Sequence, residues 1–111
     1  MTGFATRRIY TIAGAGDFSG NPRPGLIVQS DPFNEFDPSV TVCPLSSHMT
    51  GDGLYRIPIL PDAENALMFE SEIEVDKLQS VWLQRLGKPI GRASSDVMVA
   101  VDAALRRWLD I

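Results

Sequence analysis

The sequence predicts a β-rich α+β fold, a set of short strands followed by one amphipathic helix that covers them. Three observations lead there. The eight prolines and nine glycines fall mostly in the first two thirds, where they punctuate short β-like runs as in a small barrel or sandwich. After Ser95 the hydrophobic period changes from strand-like to helical. The length of 111 residues suffices for one domain with a core and is too short for two, so residues 1–111 are read as a single domain.

Each element has its own signal. Ile9 to Ala13 reads as a first strand, followed by a long glycine-rich loop from Gly14 to Pro22. Gly25 to Gln29 reads as a buried strand ended by the turn residues Ser30, Asp31 and Pro32. Val40 to Leu45 is a third strand opening on β-branched Val40, Thr41 and Val42. Leu54 to Leu60 is a fourth, and Pro58 within it predicts an edge position, since proline donates nothing to the ladder. Ser71 to Val81 alternates: Ile73 and Val75 face one way, Glu72, Glu74 and Asp76 the other. Lys77 and Leu78 break that alternation, which predicts a bulge or strand end there. In the final segment Met98, Val101, Leu105 and Trp108 form an apolar stripe. Ser94 or Ser95 can cap its start, Asp96 suits the positive end of the helix dipole, and Arg106 and Arg107 suit the negative end.

Bulk properties narrow the function classes. Hydrophobic residues make up 44% and charged residues 22%, a composition that argues against disorder. The longest apolar runs are far too short to cross a bilayer, and no secretory signal follows Arg7-Arg8, so no membrane association is expected. Cys43 is alone, which rules out an intrachain disulfide and fits a reducing cytoplasm. A net charge of −4 opposes broad electrostatic capture of nucleic acid and leaves room only for a small basic pocket.

Several residue groups have chemical potential. Gly14-Ala15-Gly16 superficially resembles a phosphate-binding glycine loop, but prolines and a strand follow where a helix is required. A pliable loop is the better reading, with Asp17 and Phe18 placed to touch a ligand. Arg23 is clamped between Pro22 and Pro24, so it is biased to an extended backbone and loses little entropy on binding an anion. It is either a fork for a phosphate or one half of a structural ion pair with Asp17 or Asp31. Ser46 closes the third strand, able to donate to a phosphate or simply to serve the turn. Ser47 and the lone histidine, His48, follow it, and histidine is the side-chain type that titrates near neutrality. The serine-hydrolase elbow Gly-x-Ser-x-Gly is absent. Glu70, Glu72, Glu74 and Asp76 line one strand face too regularly to converge on a cation and read as a solvated surface. Cys43 reads as a small core residue.

In combination these segments resemble the MazF/PemK family of toxin endoribonucleases. The likeness starts at Arg7-Arg8 and runs through Pro22-Arg23-Pro24-Gly25-Leu26-Ile27-Val28-Gln29-Ser30-Asp31. It continues through Val40-Thr41-Val42-Cys43-Pro44-Leu45-Ser46-Ser47, then Val75-Asp76-Lys77-Leu78, Arg85-Leu86-Gly87 and the closing helix. The resemblance implies an SH3-like barrel of the CcdB/MazF type, a homodimer in the cytoplasm, and sequence-selective cleavage of single-stranded mRNA with no metal or other cofactor. It also implies control by a cognate antitoxin. Carried over by position, it assigns catalysis to Arg23, Ser46 and Asp76, with Asp17, Phe18, Ser47 and His48 expected at the substrate. The chain departs from the family where Arg8 runs into Ile9-Tyr10 with no acidic residue between. It also has Ser46 for the commoner threonine, Glu74 where some members have arginine, and Lys77 for glutamine.

Two other readings compete. The ending Trp108-Leu109-Asp110-Ile111 is similar to that of CcdB, which shares the fold and poisons DNA gyrase by binding, although helix packing also accounts for Trp108. Alternatively, the departures fit a member that keeps antitoxin binding without cleavage.

Overall fold

The computed structural model describes residues 6–13 and 22–111. In chain order the strands are β1 (Arg8–Ile12), β2 (Arg23–Ile27), β3 (Ser39–Ser46), β4 (Arg56–Ile59), β5 (Ser71–Glu74), β6 (Gln79–Trp82) and β7 (Leu86–Arg92). A four-residue helix, α1 (Asp31–Asn34), follows β2, and the long helix α2 (Ser95–Leu109) closes the chain. Every pairing is antiparallel.

The sheet runs β4-β5-β3-β2-β1-β7, with β6 also on β3. The eight residues of β3 serve three partners. One edge pairs with β2. On the other edge Ser39 to Val42 pair with β6, and Leu45 and Ser46 pair with β5. A strand shared this way must bend between its two partners, which curls the sheet into a barrel-like form.

The alternation of the central strands fills both sides of that curl. Ile9, Leu26, Cys43 and Leu45 point into one apolar cluster with Ile57, Ile73 and Val75. Tyr10, Ile12, Ile27, Val40 and Val42 point into a second with Val81. With both faces covered, these strands carry nearly continuous apolar runs, which explains Gly25-Leu26-Ile27-Val28. Gly25 fits close packing: a Cβ there would run into the end of the Ile12 side chain, which would have to shift. Cys43 is fully buried, and burial, then the nearby Asp76 charge, pushes its thiol up to about 12. It is an inert core residue, as its type suggested.

Helix α2 lies over the first cluster through Val101 and Ala104, with Val97, Met98 and Leu105 at the margin. Ser94 is the cap: its hydroxyl accepts from the Val97 amide at 3.2 Å. Trp108 is the outer end of the stripe, half exposed, its ring 5.3 Å from that of Tyr55 at a tilt of 45°. At the far end Asp110 adopts φ 57° and the Ile111 amide returns to the Arg106 carbonyl, closing the helix.

Three features differ from the sequence reading. The turn at Ser30-Asp31-Pro32 continues into α1, because Asn34 is buried and bonded back to Gln29. The segment 71–81 is not one strand: a 3₁₀ turn at Val75–Lys77 separates β5 from β6, so each can pair with a different part of β3. Strand β7 went unread, since its residues are mostly exposed and it contains glycine, lysine and proline.

Replacing Ser94 with alanine should cost about 1 kcal/mol by removing the cap. In a thermal melt that is a fall of about 4 °C for a domain of this size.

Candidate active site

The site forms where β2 begins and β3 ends. The β2–β3 register pairs Gly25 with Pro44 and Leu26 with Cys43. Extending it two residues brings Arg23 alongside Ser46. The guanidinium confirms the proximity, since Nη2 donates to the Leu45 carbonyl at 3.2 Å. Among the described residues no carboxylate forms an ion pair with Arg23. Asp31, one of its two candidate partners, is occupied elsewhere by the Thr6 amide. Asp17, the other, lies with Phe18 outside the described residues.

Beyond Ser46 the chain turns sharply. The His48 amide donates to Ser46 Oγ at 3.1 Å. That bond uses one lone pair of the hydroxyl and leaves its proton available to an oxygen in front of it. Ser47 and His48 are exposed. Arg23, Ser46, Ser47 and His48 together form the polar side of a cavity of about 630 Å³. Besides Pro24 and Leu45, the apolar lining includes residues to which the sequence reading assigns no role: Ala66, Leu67, Met68 and Phe69 from the β4–β5 connection, with Ile90 of β7. An apolar pair, Met68-Phe69, outside any periodic segment was the available signal.

Glu72 controls the loop that leaves this cavity. It sits opposite Ser46 in the β3–β5 register and is only 1% exposed. Its carboxylate accepts from Thr50 Oγ1 at 2.8 Å and from the Gly51 amide at 2.9 Å. Gly51 takes φ +74°, where a glycine is favoured, so that its amide can reach the carboxylate. Burial alone would raise the Glu72 carboxyl, but the Thr50 and Gly51 donors and the Arg56 charge outweigh it and hold it below its ordinary value.

Asp76 is placed apart from the cavity lining. Arg56 of β4 grips it with Nε and with Nη2, the latter 2.9 Å from Oδ2, and reaches Glu74 through Nη1 at 3.1 Å. The Arg56 hydrogen bonds draw the Asp76 carboxyl below its ordinary value against the effect of burial. The expected solvated face therefore fails for Glu72, Glu74 and Asp76, and holds only for exposed Glu70. Their donors come from Thr50, Gly51 and Arg56, which are distant in sequence. Among the described residues no group of three or more His, Cys, Asp or Glu side chains could hold a metal ion. Nor, among the described residues, is any helix long and apolar enough to cross a membrane.

Comparison with known proteins places this architecture. A family model described as the PemK-like, MazF-like toxin of type II toxin–antitoxin systems matches residues 7–109. The chain belongs to that family. It is 39% identical over 103 residues to a probable endoribonuclease MazF of Mycolicibacterium smegmatis, covering 93% of this chain and 94% of the relative. Among solved structures it superposes on the Mycobacterium tuberculosis toxin MazF-mt6 with a TM-score of 0.80 at 25% identity, covering 95% and 98% of the two chains. A mycobacterial endoribonuclease in complex with its cognate antitoxin shares the fold at 17% identity, with a TM-score of 0.77 over 97% and 96%. Within the CcdB-like ending, Trp108 packs its ring on Tyr55, in keeping with a place on the apolar stripe of α2.

Replacing Arg56 with alanine should cost roughly 3–5 kcal/mol, measured by urea unfolding, by leaving largely buried Glu74 without its cation and Asp76 with only the more distant Lys77, 3.9 Å away. Asp76 and Glu72 have folded values below the ordinary 3.8 and 4.5. Their stabilisation is therefore complete above those values and disappears as pH falls through the folded ones. Unfolding midpoints should hold steady from neutrality to about pH 5 and then fall, less steeply in Arg56→Ala.

Proposed function

We infer that this chain, a MazF-type toxin endoribonuclease by family, cuts single-stranded RNA by using the substrate's own 2′-hydroxyl. In that reaction the O2′–P bond forms as the P–O5′ bond breaks. The 2′-hydroxyl proton leaves to a base, O5′ gains a proton, and the products carry a 2′,3′-cyclic phosphate and a 5′-hydroxyl. No metal or redox cofactor is needed to balance it. DNA lacks the attacking group.

The observation that carries this reading is Arg23, half-buried beside Ser46 and without a carboxylate partner among the described residues. Its guanidinium fits a phosphodiester whose charge grows in the transition state. The carbonyl of Leu45 fixes the guanidinium in advance, so little reorganisation accompanies the reaction. Ser46 would donate to a non-bridging oxygen. His48 and Ser47, at the same cavity, would contact the flanking nucleotide. Asp76, held by Arg56 and absent from the cavity lining, has no part as general base in this reading. The net charge of −4 means that affinity comes from this pocket and not from a broad basic face.

Partners follow the same reasoning. Complexes of MazE with MazF from Deinococcus radiodurans share this fold, which supports a cognate antitoxin for this chain as well. A homodimer acting in the cytoplasm fits the family.

The purified protein, incubated with a defined RNA in EDTA, should release cyclic-phosphate and 5′-hydroxyl ends. A single 2′-deoxy substitution at the cut nucleotide should stop it. Arg23→Ala should lower kcat by about 10²–10³-fold with the fold retained, the scale of losing one transition-state donor. Wild-type-like cleavage by Arg23→Ala, or stalled gyrase complexes in place of cut RNA, would refute the assignment.

A further inference from the structure

The cavity is amphiphilic. Its polar side is Arg23, Ser46 and His48, and its apolar side is carried by Met68 and Phe69. These two apolar side chains are 84% and 67% exposed, although neighbouring Leu67 packs against the core. The chain thus turns Leu67 toward the core and leaves the next two residues exposed in the cavity lining. The fold meets the cost of that turn: Ala66, immediately before it, takes φ 54°, a left-handed conformation unfavourable for a residue with a Cβ. Strain at such a place points to a requirement on geometry.

The connection is also rigidly built. Asn65 is fully buried. Its Oδ1 accepts from the Asp62 and Leu67 amides at 3.1 and 2.9 Å, and its Nδ2 donates to the Leu60 carbonyl at 2.8 Å. The Arg92 amide of β7 holds the Glu64 carbonyl at 3.0 Å. Gly91 lets the two backbones meet, because a Cβ there would fall 2.7 Å from the Asn65 carbonyl carbon. Beyond Phe69, the Ser71 hydroxyl donates to the Phe69 carbonyl at 3.1 Å. Met68 and Phe69 are thus presented on a fixed support, and a ligand that meets them has little ordering left to bring about.

Resting on the RNA-cleaving reading above, we propose that Phe69, flanked by Met68, is a stacking platform for one unpaired base of the RNA whose phosphate is held at Arg23 and Ser46. A nucleotide has the matching chemistry, an anionic phosphate for the polar side and a flat π-face for the apolar side. The cavity volume lies within the roughly 300–1,000 Å³ usual for small-ligand sites, so it takes a nucleotide rather than a duplex. A base on this platform is read by its face and must be out of a helix, which makes the platform a selector for single strands.

The test combines kinetics with binding of a non-cleavable RNA carrying 2′-deoxy at the cut position. Phe69→Ala should raise KM and the Kd for that RNA about 5- to 150-fold, the span reported for base–aromatic stacking, while kcat stays within a few-fold. Phe69→Trp should restore both. RNAs with an abasic site scanned along the strand should show one position whose penalty vanishes in Phe69→Ala. Unchanged KM and Kd in Phe69→Ala would overturn the platform, and so would penalties that simply add at every position. Loss of self-association in sedimentation without loss of RNA binding would overturn it in favour of a contact between copies. The underlying reading fails separately: wild-type protein that binds the RNA in a Phe69-dependent way yet never cuts the all-ribose strand keeps the platform and removes the cleavage.

Discussion

The register between β2 and β3 is the constraint on which the rest depends. Gly25 opposite Pro44 and Leu26 opposite Cys43 set the two strands so that Arg23 and Ser46 meet at one end. Because side chains alternate, a slip of one residue would exchange the two apolar clusters for each other's positions and separate the arginine from the hydroxyl. The same alternation that buries Leu26, Ile27, Val42 and Cys43 therefore also assembles the site. Packing and chemistry share one geometric cause.

Around that junction the molecule uses polar contacts to fix loops rather than to hold the core. Glu72 ties the chain after Ser46 through Thr50 and Gly51. Asn65 ties the chain before Phe69. Arg56 gathers Glu74 and Asp76 at the turn between β5 and β6. Each is a buried or half-buried polar group with its partners satisfied, and none of the described buried side-chain polar atoms lacks a partner. An unpaired group in these places would cost more than the bond contributes, so such networks specify one loop conformation out of many. The carboxylates that give the chain its acidic balance are thereby partly neutralised on the β4–β5 side, while Arg23 keeps its charge for the cavity.

Membership of the PemK/MazF family gives this arrangement its biological frame. Within it the chain has its own character. A serine closes β3 where threonine is commoner, and Glu74 stands where some members carry arginine. In the structure Glu74 engages Arg56, so a cation from β4 lies beside it.

Read alone, the sequence determined the elements whose burial is regular. Strands β1 to β3 and helix α2 announce themselves because water is excluded from a fixed face, or from both faces, and composition must follow. It also determined the extended backbone at Arg23, whose flanking prolines restrict it before any fold exists, and the inert cysteine, while the choice of Ser94 over Ser95 as the cap came from the structure. Only the tertiary structure decided what the acidic alternation from Glu72 to Asp76 is for. A period of two says which residues share a side, not whether water or Arg56 waits there. Strand β7 was equally hidden, because its exposed, proline-containing sequence is held by pairing with β1 and not by burial of its own. The apolar half of the cavity needed the fold too, since Phe69 meets Arg23 only after β5, β3 and β2 are laid side by side.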